Sequence, residues 1–194
     1  MKNTVNTRWG VVAMIILVVA MTRLIPPTMS TGLFNFSPMG ALALFGGAYF
    51  NRKYFAYLLP VLALWFSNLL LNNIFYAQYF DGFSWFANPE VYFAFLLIVV
   101  LGTNFLKKIT VPRLAVAAVS SSLIFFIVTN FYTWLLTDMY PKNSAGLVAC
   151  YVAAIPFYWN TLASDVFYVG VLFGLFELVK KYAPKLVLEK QTAA

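Results

Sequence analysis

The chain has 194 residues, of which 62% are hydrophobic and 10% are charged, whereas soluble globular domains carry about 25% charged residues. This composition excludes an ordinary soluble domain and predicts a single-domain, all-α integral membrane protein over residues 1–194. The net charge of +7 does not form a clustered basic face, and one cysteine without any histidine excludes an intrachain disulfide, so we expect neither nucleic acid nor a metal or other cofactor.

Apolar runs of membrane-spanning character recur along the whole chain. The first run ends at Arg23 and Pro26-Pro27 and lacks a small-x-small cleavage site, so we interpret it as a retained helix and not as a secretory signal. The second run is short, and the last is long with Pro156 inside it. The runs predict six transmembrane helices in one compact bundle, at roughly 9–25, 38–51, 54–77, 91–107, 112–137 and 146–181.

The basic residues select an orientation for this bundle. Six spans place both termini on one side, and only Arg23 and Lys142 lie toward the opposite side. Because positive residues concentrate on the inner side, we expect cytoplasmic termini in a multi-pass protein of the cell (inner) membrane. The residues on the predicted inner side are Lys2, Arg8, Arg52, Lys53, Lys107, Lys108, Arg113, Lys180, Lys181, Lys185 and Lys190.

Polar residues on four of the predicted helices lie at a similar depth. Counting along the helices places them roughly 21–23 Å or slightly more from the inner surface. A shared depth in the outer half predicts a cavity that opens outward and binds a small solute. The predicted contacts are Asp165, Asn68, Asn130, Arg23, Asn160 and Asn35, with Trp159, Tyr158 and Trp134 as aromatic walls.

Each of these residues also has a structural interpretation. Asn68 and Asn130 could be ordinary interhelical hydrogen-bond partners, and Arg23 could snorkel to the interface or neutralise Asp165. An acid inside a membrane favours a functional role, because burying it is costly. Glu177 differs from Asp165, since it lies beside Lys180 and is expected to be solvated or paired.

The segment Asn35 to Phe50 raises a separate question, because it is too short to cross a membrane. Pro38 suits the first turn of a helix, which would let Asn35-Phe36-Ser37 dip into the bundle. Non-helical backbone at that depth requires protein or a water-filled cavity around it. We therefore expect Asn35 to face the same cavity as Asp165, and Gly46-Gly47 to allow close packing of the short helix.

Three further motifs have open interpretations. The aromatic-rich outer loop from Tyr76 to Phe93 is either an interfacial belt or a lid over a ligand. Gly170-x-x-x-Gly174 indicates internal packing or a docking face for a partner subunit. Ser120-Ser121-Ser122 indicates packing or weak interhelical hydrogen bonds. No nucleophile elbow, phosphate loop or paired carboxylates are present in the sequence, so an enzyme is not expected.

Several blocks of the sequence resemble an uncharacterised family of six-helix bacterial membrane proteins described as candidate transport proteins. That family in turn resembles the substrate-binding S components of energy-coupling factor (ECF) vitamin transporters. The resemblance implies six helices, cytoplasmic termini and an outward-facing pocket for a vitamin-like solute. The blocks are Asn35-Phe36-Ser37-Pro38, Gly40 to Ala48, Pro60 with Ser67-Asn68, Thr129-Asn130-Phe131 with Trp134, Tyr140-Pro141, Gly146-Leu147 and Ile155-Pro156-Phe157.

The resemblance has two departures. The chain has Ser67-Asn68 where family members carry Ser-Asp, and Ala13 and Ala20 do not fit the Ala-x-x-x-Ala motif through which S components dock an energising subunit. The resulting hypothesis is a membrane transport protein whose partners are a small molecule, the lipid bilayer, and an energising ATPase and coupling module or other membrane subunits. The alternative is a structural or accessory subunit of a larger membrane complex.

Overall fold

The structure, a computed structural model, describes residues 7–24, 35–50 and 53–184. These ranges contain six α-helices, as the apolar runs predict. A 3-10 turn, Thr22–Leu24, follows α1, and a π-helical turn, Leu71–Phe75, prolongs α3. Pro26-Pro27, Arg52, Lys185 and Lys190 lie outside the described residues. The helices are α1 Thr7–Met21, α2 Met39–Tyr49, α3 Lys53–Leu70, α4 Pro89–Phe105, α5 Val111–Leu136 and α6 Ser144–Tyr182.

The helices differ in whether they are long enough to cross a membrane. Three stretches are long and apolar enough to do so: Tyr54–Phe75, Val111–Leu136 and Ser144–Tyr182. The apolar parts of α1, α2 and α4 are shorter. The 11 residues of α2 extend only about 16 Å, roughly half of the hydrocarbon thickness. Six helices are therefore confirmed, and length and composition support spanning for three of them.

The short helix α2 lies at the centre of the bundle. It contacts each of the other five helices, and all of its residues except Ala48 are buried. A helix that is apolar on every side is stable only where protein or lipid surrounds it completely. The short helix α2 is therefore an interior helix, surrounded by the rest of the bundle.

Glycines allow α2 to approach its neighbours closely. A Cβ atom at Gly47 would lie 2.7 Å from the Val99 carbonyl oxygen of α4, and one at Gly102 would lie 2.7 Å from the Leu44 carbonyl oxygen of α2. At Gly46, a Cβ atom would lie 2.6 Å from Cγ of Pro60 on α3. The close packing predicted for Gly46-Gly47 is thus confirmed, because the Pro60 ring at Gly46 and the α4 backbone at Gly47 occupy the space that a side chain would need.

Aromatic rings fasten the C-terminal end of α2 to α6. The ring centroids of Tyr49 and Phe176 are 4.1 Å apart, and those of Phe45 and Phe173 are 5.3 Å apart. Beyond this cluster, Glu177 forms an exposed ion pair of 2.7 Å with Lys180, as expected from the sequence. Apolar and aromatic packing therefore dominates this end of the bundle, and the buried polar groups lie beside the opposite end of α2.

Candidate functional site

One polar cluster links α1, α3 and α4. The half-buried Arg23 donates from Nη1 to Ser67 Oγ at 2.8 Å and to Asn68 Oδ1 at 2.5 Å. Asn68 is buried, and its Nδ2 donates to the Tyr92 hydroxyl at 3.2 Å. Within the described ranges, no carboxylate lies at ion-pair distance from Arg23, so it does not neutralise Asp165. The structure therefore brings Arg23 and Asn68 together in one hydrogen-bonded cluster, and neither residue lines the α5–α6 cavity described below.

A second cluster surrounds Asp165 on α6, which is 2% exposed. Its Oδ2 accepts a hydrogen bond of 2.9 Å from Ser122 Oγ of α5, so the serine run supplies the predicted interhelical bond. A Cβ atom at Gly40 would lie 2.9 Å from Cγ of Asp165 and 2.7 Å from Ser121 Oγ. The carboxylate thus occupies the space beside the first turn of α2.

The position of Asp165 has a structural explanation. The residue before α2, Pro38, offers no side-chain cap, and the first backbone N–H groups of a helix have no partner within it. The Asp165 side chain lies beside this first turn, close to Gly40. The positive end of the helix dipole favours a carboxylate there. Asp165 is therefore placed where its charge favours the start of α2.

A partly open cavity of about 250 Å³ lies between α5 and α6. Asn35 is exposed at its rim, with a φ of 64° in the left-handed region that asparagine tolerates better than most residues. No charged side chain contributes to the described lining. The lining residues are Asn35, Val91, Phe125, Phe126, Thr129, Asn130, Thr133, Ala154, Phe157, Tyr158 and Thr161.

Three of the nine site residues expected from the sequence line the cavity, namely Asn35, Asn130 and Tyr158. Asp165 does not line it and lies four residues beyond Thr161, about 6 Å along α6. The expectation that Asn35 and Asp165 face one cavity is therefore wrong for this cavity. The carboxylate is one helical turn away, against α2.

The remaining predicted residues lie elsewhere. Trp159 is 61% exposed on the outside of α6, although its neighbour Tyr158 lines the cavity. Trp134 points at the α5–α6 connection, where its Nε1 donates to the Pro141 carbonyl oxygen at 2.9 Å. Asn160 is half-buried and outside the lining. The cavity wall therefore contains neither of the two predicted tryptophans.

The sequence interpretation missed the threonines of the wall. Thr129 and Thr133 are one turn apart on α5, and Thr161 faces them from α6. Their spacing was the available signal, because residues four apart share a helix face. Among the described residues, no group of three His, Cys, Asp or Glu side chains is placed to hold a metal ion. The cavity is thus suited to hydrogen bonding and aromatic contact.

The aromatic outer loop is fixed to α3 and its π-helical extension. Asn73 donates from Nδ2 to the Ser84 carbonyl oxygen at 2.9 Å and accepts from the Ser84 backbone N–H at 2.8 Å. Trp65 Nε1 donates to the Trp85 carbonyl oxygen at 3.1 Å. The Trp85 side chain is 66% exposed, and of residues 76–93 only Val91, which belongs to α4, lines the cavity. This arrangement favours the interfacial belt over the lid.

Comparison with known proteins gives a family but no activity. No curated protein and no solved structure matches the chain. One family model, described as a family of unknown function, matches residues 3–186. The match says nothing of transport or of S components, so these stay predictions. The chain belongs to this family of unknown function, DUF6580.

Proposed function

We propose that the chain is a multi-pass protein of the cell (inner) membrane that binds a small solute in the α5–α6 cavity and transports it, similar to an S component. The observation that carries the proposal is the cavity itself. It combines aromatic walls with amide and hydroxyl groups, which is the usual composition of a small-molecule site. The proposal concerns non-covalent binding, with no chemical step.

The exterior of the bundle supports a membrane location. Large apolar side chains project outward from several helices, for example Leu17 at 60%, Ile127 at 54% and Val152 at 58% exposure. Soluble monomers rarely expose apolar patches of more than a few hundred Å². In lipid, the same side chains are in a favourable environment. The proposal that both termini lie on the cytoplasmic side rests on the distribution of basic residues alone.

The two buried polar clusters have a supporting role in this proposal. The bond from Arg23 to Asn68 joins the turn after α1 to α3, and the bond from Ser122 to Asp165 joins the two helices that form most of the cavity wall; both provide partners for buried polar groups. Release of a solute toward the other side requires these helices to rearrange. The contact of Asp165 with α2 is one turn from the cavity. Such a rearrangement would therefore either break this contact or move α2 together with α6.

The test is mass spectrometry of small molecules that remain bound through purification. Ala154 is buried in the cavity wall, so Ala154→Phe fills the cavity. Ala163→Phe makes the same change on the exposed side of α6 and is the matched control. We expect one solute in the wild type and in Ala163→Phe that is absent from Ala154→Phe. The same small molecules in all three proteins, or none in any, would overturn the proposal.

An accessory role in a larger complex is a second candidate, which one observation favours. Among the described residues, a Cβ atom at Gly170 or Gly174 would meet nothing within 4 Å, which favours the docking-face interpretation of this motif over internal packing. An energising module or another membrane subunit could pack there. Purification in mild detergent should give a stoichiometric partner that Gly170→Leu removes. A chain that purifies alone, with unchanged behaviour in Gly170→Leu, would eliminate this candidate.

A further inference from the structure

The threonine hydroxyl groups of the cavity wall donate their protons to backbone carbonyl oxygens of their own helices. Thr129, Thr133 and Thr161 each donate from Oγ1 to the backbone carbonyl four residues earlier, at 2.8, 3.0 and 3.2 Å. Asn130 likewise donates from Nδ2 to the carbonyl oxygen of Phe126 at 2.8 Å. All four side chains line the cavity. Their donor capacity is therefore largely satisfied within their own helices.

What these groups can still offer to a ligand is mostly lone pairs. A threonine hydroxyl has one proton and two acceptor positions, so a hydroxyl that donates to its own helix can only accept from a ligand. The Asn130 side chain retains its Oδ1 acceptor and one N–H. Because Thr129 and Thr133 are one turn apart, their oxygens form a strip along α5. These four side chains thus offer mainly acceptors to a ligand, while the Tyr158 hydroxyl and the Asn35 amide, which also line the cavity, are able to donate.

Charge and size restrict the ligand further. The lining contains no ionised side chain, and Asp165 is outside it, bonded to Ser122 and placed against α2. An ion without a counter-charge is costly in such surroundings, so a neutral ligand is favoured. Phe125, Phe126 and Phe157 supply flat apolar walls. An apolar cavity of about 150 Å³ holds benzene, so this cavity of about 250 Å³ has room for one substituted ring.

We propose that the solute is a neutral, planar, single-ring molecule whose N–H or O–H groups donate to the oxygens of Thr129, Asn130, Thr133 and Thr161. This inference rests on the proposed function and specifies its substrate class. Anions are disfavoured because the wall provides no positive charge and the threonine oxygens present lone pairs. Organic cations are disfavoured because the wall provides no carboxylate.

Four probes of nearly the same shape separate these classes. Benzamide is neutral and donates N–H, acetophenone is neutral and only accepts, benzoate is an anion, and benzylammonium is a cation. Titrations of the purified wild-type protein in detergent, followed by saturation-transfer NMR, give each dissociation constant. We expect benzamide to bind about tenfold more tightly than acetophenone, with the two ions weaker still.

Two valine variants assign the effect to the wall. Thr129→Val keeps the shape of the side chain and removes the acceptor oxygen, so it should abolish most of the preference for benzamide over acetophenone. Thr103→Val is the matched control, because Thr103 Oγ1 makes the same bond, at 2.8 Å to the Val99 carbonyl oxygen, on α4 and outside the cavity. It should leave the tenfold preference unchanged.

The possible results separate failure of the proposed substrate class from failure of the proposed function. Equal or tighter binding of acetophenone, benzoate or benzylammonium would overturn the substrate class and leave a solute-binding cavity in place. Absence of binding by all four probes, with a retained solute that Ala154→Phe removes, would do the same. Absence of probe binding together with no retained solute would overturn both proposals.

Discussion

A substitution at Gly40 tests quantitatively how tightly Asp165 and Ser121 pack against the start of α2. In Gly40→Ala, the new Cβ atom would lie 2.7 Å from Ser121 Oγ and 2.9 Å from Cγ of Asp165, closer than the 3.0 Å below which Cβ contacts essentially do not occur. Neither neighbour has room to withdraw, since Ser121 is 0% and Asp165 is 2% exposed. The substitution must therefore displace the carboxylate from Ser122, from α2, or from both.

The expected cost follows from these contacts. Overpacking a tight interior costs about 1–3 kcal/mol, and alanine in place of helical glycine returns at most about 1 kcal/mol. Weakening the bond between Ser122 and Asp165 adds to the cost. We expect Gly40→Ala to lower the free energy of unfolding by about 2 kcal/mol. The control Gly170→Ala, whose Cβ atom meets no described residue within 4 Å, should raise it by up to about 1 kcal/mol.

Thermal unfolding in one detergent, followed by tryptophan fluorescence, measures the difference. About 3 kcal/mol between the two variants corresponds to about 6–12 °C in Tm for a chain of this size. In the Gly40→Ala background, Asp165→Ala removes the clash with the carboxylate and leaves only the close contact with Ser121 Oγ, so the two changes should be coupled by at least about 1 kcal/mol. A Gly40→Ala protein as stable as Gly170→Ala, or additive effects in the double variant, would refute the reasoning.

Three other predictions concern different parts of the bundle. Asn68→Leu removes an acceptor from a guanidinium and should lower the free energy of unfolding by about 2–3 kcal/mol, whereas exposed Asn104→Leu should stay within about 0.5 kcal/mol in the same unfolding assay. Asn73→Ala removes two bonds to the outer loop and should speed its proteolysis without lowering Tm by more than about 3 °C; an unchanged cleavage rate would contradict the loop attachment. An impermeant maleimide should label Asp138→Cys in intact cells and Lys108→Cys only after permeabilisation, relative to the wild type; the reverse pattern would invert the orientation.

The sequence predicts the helices well because each apolar run is bounded by polar residues or proline. The short α2 and its glycine contacts were also predictable, since a run of that length with Gly46-Gly47 has few alternatives to a buried position. The depth of Asn68 and Asp165 follows from counting residues along a helix. Depth alone, however, does not say which neighbour a side chain meets.

The direction in which each side chain points from its helix could not be predicted from the sequence. A helix in lipid is apolar on all sides, so its sequence lacks the periodicity that marks the inner face of a soluble helix. Adjacent residues point about 100° apart, which is why Tyr158 lines the cavity and Trp159 does not. Asp165 lies one turn from the cavity because the start of α2, a long-range partner, occupies the space beside it.

Uptake into proteoliposomes tests the central claim most directly. The solute recovered from the wild-type protein would be supplied outside the vesicles, with wild type, Ala154→Phe or Ala163→Phe reconstituted at equal density and, if one copurifies, with the partner subunits. The account predicts uptake with the wild type and Ala163→Phe and only background uptake with Ala154→Phe, whose new side chain fills the cavity. Equal uptake by all three proteins, or background uptake by the wild type, would contradict it.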